Sequence, residues 1–272
     1  MKPEEILIYS DMDGTMLNSP GNESGKAVPQ INLDALVSFI AAGGAVSIAT
    51  GRKYSDTIGF FPGIVFSAPL VVGNGSCIMD QATEKVLYRQ PLDAEYKASA
   101  LAYVSGRPGV WLGADNEFVT YLVEDDAAKG DSLNEAHYRH RISPQGYLEN
   151  TITKVCYVLA DAKDTEGLIR DVIRIPGSAS VLTMKTDARY VEVVHANASK
   201  ALSIQRAVQL AGLSGRKLVC IGDYYNDVEM LQSAEIAACP CNAPEDIRKI
   251  CDIVTCSNDA GAFADLLERL LR

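Results

Sequence analysis

Ile6-Leu7-Ile8-Tyr9-Ser10-Asp11-Met12-Asp13-Gly14-Thr15 is the stretch that decides the architecture. Ile6 to Tyr9 is an unbroken apolar run of strand-forming residues, which suits a strand buried on both faces of a parallel sheet. Two aspartates two positions apart follow it directly. In open α/β sheets ligands bind beyond the carboxyl ends of the strands, so Asp11 and Asp13 stand where a site is expected on topology alone. Gly14 lets the chain turn at once, and the two carboxylates can face one cleft. A helix cap or Asx-turn would account for one of these acids comfortably and for both less well.

Outward from this strand, short apolar runs alternate with helical patterns. Ala45–Ala49, Leu70–Val72, Leu218–Ile221, Ile236–Ala238 and Ile253–Val254 read as further buried strands. Ile31–Ala42 reads as a helix with Leu33, Leu36, Val37 and Ile40 on one face and Gly43-Gly44 as its stop. Ser199–Ala211 reads as another, with Leu202, Ala207, Val208 and Ala211 at helical spacing. Strands joined by helical crossovers predict an α/β fold: a Rossmann-like parallel sheet with helices on both faces.

From about residue 83 to 194 the pattern changes to longer alternating strands at Phe118–Val123, Lys154–Leu159, Ser180–Lys185 and Tyr190–Val194. Thr186-Asp187-Ala188-Arg189 reads as a hairpin turn, and Ala94–Val104 and Thr165–Ile173 read as helices between the strands. This predicts an α+β unit of residues 83–194 inserted into a core of residues 1–82 and 195–272. The crossings between the two are expected near Gln81–Glu84 and His195–Ala198, short segments that would let the inserted unit open and close.

With 25 Lys+Arg against 35 Asp+Glu, the 272-residue chain carries a formal charge of −10. An acidic chain with a pI near 4.8 lacks the basic footprint that nucleic acid or an anionic membrane requires. No apolar run approaches the roughly twenty residues of a membrane helix, and no signal-peptide core precedes Asp11. Seven scattered cysteines read as reduced thiols, so a cytoplasmic setting is expected. Cys239, Cys241, Cys251 and Cys256 follow C-x-C-x9-C-x4-C, without the paired C-x2-C knuckles of a zinc site, and read as packing residues. His137 and His140 lack an obvious third ligand and read as surface residues.

Two other strand ends carry polar chemistry. Thr50-Gly51-Arg52 offers a hydroxyl and a backbone N–H that an anion can approach closely. Gly222-Asp223-Tyr224-Tyr225-Asn226-Asp227 places two acids and an Asn at a strand terminus, a donor set suited to a hard cation such as Mg²⁺. The competing account is a helix at Asp227–Gln232 capped by Asn226 or Asp223. Lys200 opens a helix, where a cation opposes the dipole unless something anionic is near.

Together these segments resemble the haloacid dehalogenase superfamily, and most closely its Cof-type phosphatases with a large inserted α/β cap. The resemblance rests on Asp11-x-Asp13-Gly14-Thr15, Thr50-Gly51-Arg52, Ser199-Lys200-Ala201 and Gly222-Asp223-x-x-Asn226-Asp227, in that order. Gly73-Asn74-Gly75, Asn242-Ala243 and Ser257-Asn258-Asp259 add support. Where members of the superfamily carry a Gly-rich turn, this chain has Cys239-Pro240-Cys241-Asn242-Ala243.

That resemblance implies a Mg²⁺-dependent phosphomonoester hydrolase for a small phosphorylated metabolite, with Asp11 as nucleophile and Asp13 as general acid/base. It implies metal held by the Asp11 carboxylate, the Asp13 backbone carbonyl and Asp223, with Asp227 ordering the metal's waters. It implies phosphoryl oxygens bound by Thr50, Gly51, Lys200 and Asn226. A phosphomutase using the same aspartyl-phosphate, and a non-catalytic protein binding a phosphate ligand on the same fold, are the alternatives. In the inserted unit, Arg139, Arg141 and Lys185, with Arg52 from the core, could meet a second anionic group, and Trp111 and the tyrosines could stack on a ring; solvated face or packing is the simpler reading for most of them.

Overall fold

The structure is a computed structural model, which describes residues 1–19, 21, 26–124 and 140–272. In chain order it opens with β1 (Ile6–Ser10), α1 (Gln30–Ala41), β2 (Ala45–Ile48), α2 (Tyr54–Ile58), β3 (Leu70–Val72), β4 (Cys77–Asp80) and β5 (Lys85–Arg89). Then come α3 (Ala94–Val104), β6 (Val110–Asp115), β7 (Thr120–Val123), β8 (His140–Ile142), α4 (Pro144–Glu149), β9 (Lys154–Leu159), α5 (Thr165–Val172), β10 (Val181–Asp187) and β11 (Tyr190–His195). The chain closes with α6 (Lys200–Leu210), β12 (Lys217–Ile221), α7 (Val228–Ser233), β13 (Ile236–Pro240), α8 (Glu245–Lys249), β14 (Ile253–Thr255) and α9 (Ala262–Leu271).

Two units result: Met1–Tyr88 with Ser199–Arg272, and Arg89–Ala198. The divisions fall a few residues beyond 82/83 and 194/195. Gln81–Glu84 is not a crossing but the turn of a hairpin, with the Gln81 amide tied to the Phe66 N–H and the Ile64 carbonyl. β5 then continues the antiparallel β3-β4-β5 sheet and so stays with the first unit.

The first unit is built on a parallel sheet in the order β14-β13-β12-β1-β2. A single parallel bridge, Ala49 to Val71, ties β3 alongside β2. The two-residue period of each strand sorts its side chains onto opposite faces. Ile6, Ile8, Val46, Ile48, Val219 and Ile221 pack with Leu36 and Phe39 of α1 and Phe263, Leu266 and Leu270 of α9. Leu7, Tyr9, Ala45, Cys220 and Ala237 pack on the other face with Ile204 and Ala207 of α6 and Met230 and Leu231 of α7. Each fully buried Leu, Ile or Val contributes about 1.5–3 kcal/mol, so the continuous apolar run of β1 follows from burial on both sides. The chain leaves β1 toward β2 on one side and returns to β12 on the other. The carboxyl end of β1 is therefore the topological switch point of the sheet.

Two helix faces differ from the sequence expectation. In α1 the buried residues are Asn32, Leu36 and Phe39, while Val37 is 54% exposed. The stripe that meets α9 is centred on i, i+4, i+7 from Asn32, and Val37 falls outside it. In α6 Leu202 is exposed, and Lys200, Ala201, Ser203, Ile204 and Ala207 form the buried face. Two polar residues on that face hid it from an apolar-period reading.

The second unit has a sheet in the order β10-β11-β9-β6-β7-β8, antiparallel apart from the β7–β8 pair. One face carries Leu112, Val155, Tyr157, Val191 and Val193 against Tyr96 and Ala100 of α3, Tyr147 of α4 and Leu168 of α5. Trp111, Leu122, Cys156 and Val158 cluster on the opposite face. Trp111 is thus buried packing and not an exposed ring. Lys154 is held between Asp115 and Glu192 on that same face. β4, β5, β6 and β8 add to the strands expected from the sequence.

Arg141 and His140 are exposed on β8, and Lys185 pairs with Glu166. Arg139 and His137 lie outside the described residues. All seven cysteines are free, with Cys239 buried beside Cys251. No helix among the described residues is long and apolar enough to cross a membrane.

Candidate active site

Asp11 leaves β1 in extended conformation, and its N–H still bonds the Ile221 carbonyl of β12 at 2.9 Å. The ladder thus delivers its side chain to the crevice at the switch point. Beyond it, Gly14 turns at φ +79°, while Met12 and Met16 anchor the turn in the core. Any side chain at Gly14 would run into the Asp223 carboxylate. Thr15 Oγ1 donates to Asp223 Oδ1 at 3.2 Å, fixing that carboxylate across from the first loop. Asn242 Nδ2 donates to the Gly14 carbonyl at 2.9 Å and its Oδ1 accepts from the Asn258 N–H at 3.0 Å. The Asn258 amide in turn holds the Leu17 carbonyl at 2.9 Å. The late motifs Asn242-Ala243 and Ser257-Asn258-Asp259 are therefore struts for the aspartate loop.

At the end of β12, Gly222 leaves room for Asp227, whose Cγ would lie 2.6 Å from a Cβ there. Asp227 Oδ2 accepts the N–H groups of Asp223 and Tyr224 at 3.0 and 3.2 Å. It thus caps the turn from behind; neither Asp223 nor Asn226 caps the following helix through its side chain. Asp227 Oδ1 takes Lys200 Nζ at 2.6 Å, and Lys200 Nζ also donates to Asp11 Oδ1 at 2.6 Å. All three side chains in this chain of contacts are buried.

Oxygens of Asp11, Asp223 and Asp227 lie within 4.8 Å of one another. Three carboxylates around one ammonium leave two negative charges uncompensated in a buried place. The electrostatics show the strain. Burial, with the Asp227 charge adding to it, pushes the Asp223 carboxyl up to about 7. Burial likewise holds Asp11 well above the ordinary carboxylate range, with Lys200 opposing and the other two acids adding. Lys200 is pushed up: burial disfavours its charge, but Asp11 and Asp227 outweigh burial.

The Asp13 carboxylate is held by two cations. Arg52 grips it bidentately, Nε to Oδ2 at 2.6 Å and Nη2 to Oδ1 at 2.8 Å, and Lys26 pairs with the same carboxylate. Burial raises its pKa, but the bonds from Arg52 and Lys26 prevail and the net shift is downward. Arg52, a potential contact for a second substrate anion on sequence grounds, is here the partner of Asp13 and stacks over Phe60 at 5.0 Å. Lys26 carries no sequence signal for this role, because an isolated Lys in a loop belongs to no motif.

Thr50 is buried, and its Oγ1 accepts the Arg52 N–H at 3.1 Å, which leaves its own proton to donate. Asn226 is exposed and donates Nδ2 to Asn74 Oδ1 at 3.2 Å. The first unit thus gathers Thr50, Gly51, Lys200, Asn226 and the acids at the carboxyl ends of β1, β2 and β12, the ends of parallel neighbours.

The haloacid dehalogenase-like hydrolase family matches residues 8–267. A chloroplastic endoribonuclease YBEY of Arabidopsis thaliana is 26% identical over 284 residues, covering 98% of this chain; the chain spans about half, 47%, of that relative's length. A 5-amino-6-(5-phospho-D-ribitylamino)uracil phosphatase of Escherichia coli (strain K12) is 22% identical over 268 residues, covering 98% of this chain and 96% of the relative. The solved structure of a subclass IIB sugar phosphatase of the superfamily superposes with a TM-score of 0.77 at 17% identity, covering 97% and 98% of the two chains. The chain belongs to the haloacid dehalogenase-like hydrolase family.

Proposed function

We propose that the chain hydrolyses phosphomonoesters of small metabolites with Mg²⁺, through an aspartyl-phosphate on Asp11. The observation that carries the proposal is Lys200 joining Asp11 to Asp227 beside Asp223. Three carboxylates in oxygen-ligand reach with two charges to spare fit a hard divalent cation. Both oxygens of Asp227 are already engaged, so Asp11 and Asp223 would hold the metal directly, with the Asp13 carbonyl as the further ligand that the resemblance implies and Asp227 behind them. When bound, Mg²⁺ supplies charge neutralisation for an anionic nucleophile meeting an anionic ester.

The Asp11 carboxylate attacks phosphorus in line, and the leaving alkoxide departs with a proton from Asp13. Lys200, the Thr50 hydroxyl, the Gly51 N–H and Asn226 hold the equatorial oxygens, where charge spreads in a loose transition state. Asp13 then takes a proton from the water that attacks the aspartyl-phosphate, releasing phosphate and restoring Asp11. To do this Asp13 must leave the Arg52 fork, because both its oxygens are occupied there. The second unit, Arg89–Ala198, is assigned the choice of substrate. The E. coli and subclass IIB relatives direct attention to phosphorylated sugars and ribityl compounds as first substrates to try. The proposal places the enzyme in the cytoplasm, where thiols such as these free cysteines stay reduced.

The test is hydrolysis of a panel of phosphate esters with Mg²⁺, with EDTA, and with Asp11→Asn. Turnover should require Mg²⁺ and vanish in Asp11→Asn; full activity in that variant would sink the nucleophile assignment. A bisphosphate requirement with little inorganic phosphate released would indicate a mutase instead.

A further inference from the structure

Gly73, Asn74 and Gly75, which follow β3, take successive positive φ angles of 58°, 55° and 92°. Glycine occupies such angles freely, whereas Asn does so at some cost. The middle position therefore keeps a side chain where glycine would be easier, which points to work done by the carboxamide.

The surroundings of this turn identify the work. The Asn74 N–H donates to the Thr50 carbonyl at 2.9 Å and the Gly73 N–H to the Arg52 carbonyl at 2.8 Å. Asn74 Oδ1 accepts Asn226 Nδ2 at 3.2 Å. The same carboxamide covers Gly51, where a Cβ would come within 2.9 Å of Oδ1 and 3.1 Å of Nδ2. The Gly75 carbonyl accepts Ser203 Oγ of α6 at 2.7 Å, and a Cβ on Gly75 would lie 2.7 Å from the Lys200 backbone N. One turn thus touches the Thr50–Arg52 loop, Asn226 and the helix start that carries Lys200.

We propose that Asn74 is a positioning residue, whose carboxamide orients Asn226 so that it meets the transferring phosphoryl group. This rests on the phosphatase reading above and deepens it. Asn226 is exposed, and an unanchored side chain would lose rotamer freedom each time it bound an anion. Its amide has two N–H bonds; Asn74 takes one and the other remains for a phosphoryl oxygen. Anchoring before substrate arrives removes that loss and should appear as affinity for phosphate more than as turnover.

The experiment compares wild type, Asn74→Gly, Asn226→Ala and the double variant, each with Mg²⁺. The readouts are KM and kcat for p-nitrophenyl phosphate, inhibition by orthovanadate, and the thermal midpoint. Asn74→Gly keeps the backbone angle and loses only the carboxamide. It should raise KM and the vanadate inhibition constant about tenfold, the scale of one lost hydrogen bond to a charged group, and change kcat less. Asn226→Ala should do the same, and the double variant should be no worse than Asn226→Ala, because one acts through the other. Wild-type constants in Asn74→Gly, or additive losses in the double variant, overturn the proposal. So does a collapse of the thermal midpoint that accounts for the losses, which would make Asn74 a folding residue. Failure of wild type to hydrolyse or bind phosphate compounds would instead overturn the phosphatase reading.

Discussion

Lys200 Nζ stands 2.6 Å from Asp11 Oδ1, a buried ion pair at the carboxyl end of β1, and reaches Asp227 Oδ1 at the same distance. Removing one member of such a cluster leaves uncompensated buried charge, which costs about 3–5 kcal/mol. Lys200→Met should therefore lower stability by about 3 kcal/mol in urea unfolding and cut kcat by about a hundredfold or more. Lys200→Arg should not restore turnover, because a planar guanidinium does not fit the point between two buried carboxylates.

Asp223 gives the metal dependence its pH signature. Its carboxyl is pushed up to about 7 by burial first and by Asp227 second, so a proton competes with the cation for the site. Mg²⁺ affinity should weaken by up to about tenfold per pH unit below neutrality, read by calorimetry between pH 8 and pH 6. A carboxyl whose folded pKa lies above its unfolded value favours the folded state below the unfolded pKa and loses that contribution as pH rises through the folded one. The metal-free protein should accordingly unfold at a higher temperature at pH 5.5 than at pH 8. Saturating Mg²⁺ should reverse that order, and a metal-free midpoint that rises with pH would contradict the assignment.

Asp13 and Arg52 predict a separation of binding from turnover. Asp13→Asn keeps the side-chain shape but has no proton to exchange, so kcat should fall about a hundredfold or more while Mg²⁺ and vanadate affinities change little. Arg52→Gln removes the larger of the two bonds that hold the Asp13 pKa down. The limb of the kcat/KM profile that reports Asp13 should move to higher pH in that variant. An unmoved profile would show that Asp13 does not titrate in the cycle.

Much of this site was legible because its chemistry sits at strand ends. Asp11, Thr50 and Asp223 each follow a short apolar run, and parallel pairing brings those ends together whatever the details of the helices. The partnerships were not legible. That Arg52 holds Asp13, that Asp227 caps backward onto the Asp223 N–H, and that Asn242 braces Gly14 depend on loops meeting across 39 to 228 positions of sequence or on side-chain direction. Hydrophobic period also misled where polar residues are buried: Asn32 and Lys200 lie on the inner faces of their helices for hydrogen bonding and charge, not apolar burial. The inserted unit was harder because β6 ends in Gly113-Ala114-Asp115, poor strand formers, and β8 is only three residues long.

Gly14 and Gly63 allow a clean separation of backbone cost from site geometry. Their φ angles are nearly equal, +79° and +76°, so alanine at either pays the same left-handed penalty of about 1 kcal/mol. A Cβ on Gly63 meets nothing within 4 Å, whereas a Cβ on Gly14 collides with the Asp223 carboxylate. Gly63→Ala should lower the unfolding midpoint slightly and leave Mg²⁺ affinity and turnover as they were. Gly14→Ala should cost more stability, displace Asp223, and weaken Mg²⁺ binding by about tenfold or more, the scale of one misplaced ligand. Equal Mg²⁺ affinities in the two variants would show that Asp223 does not hold the metal, whatever the activities.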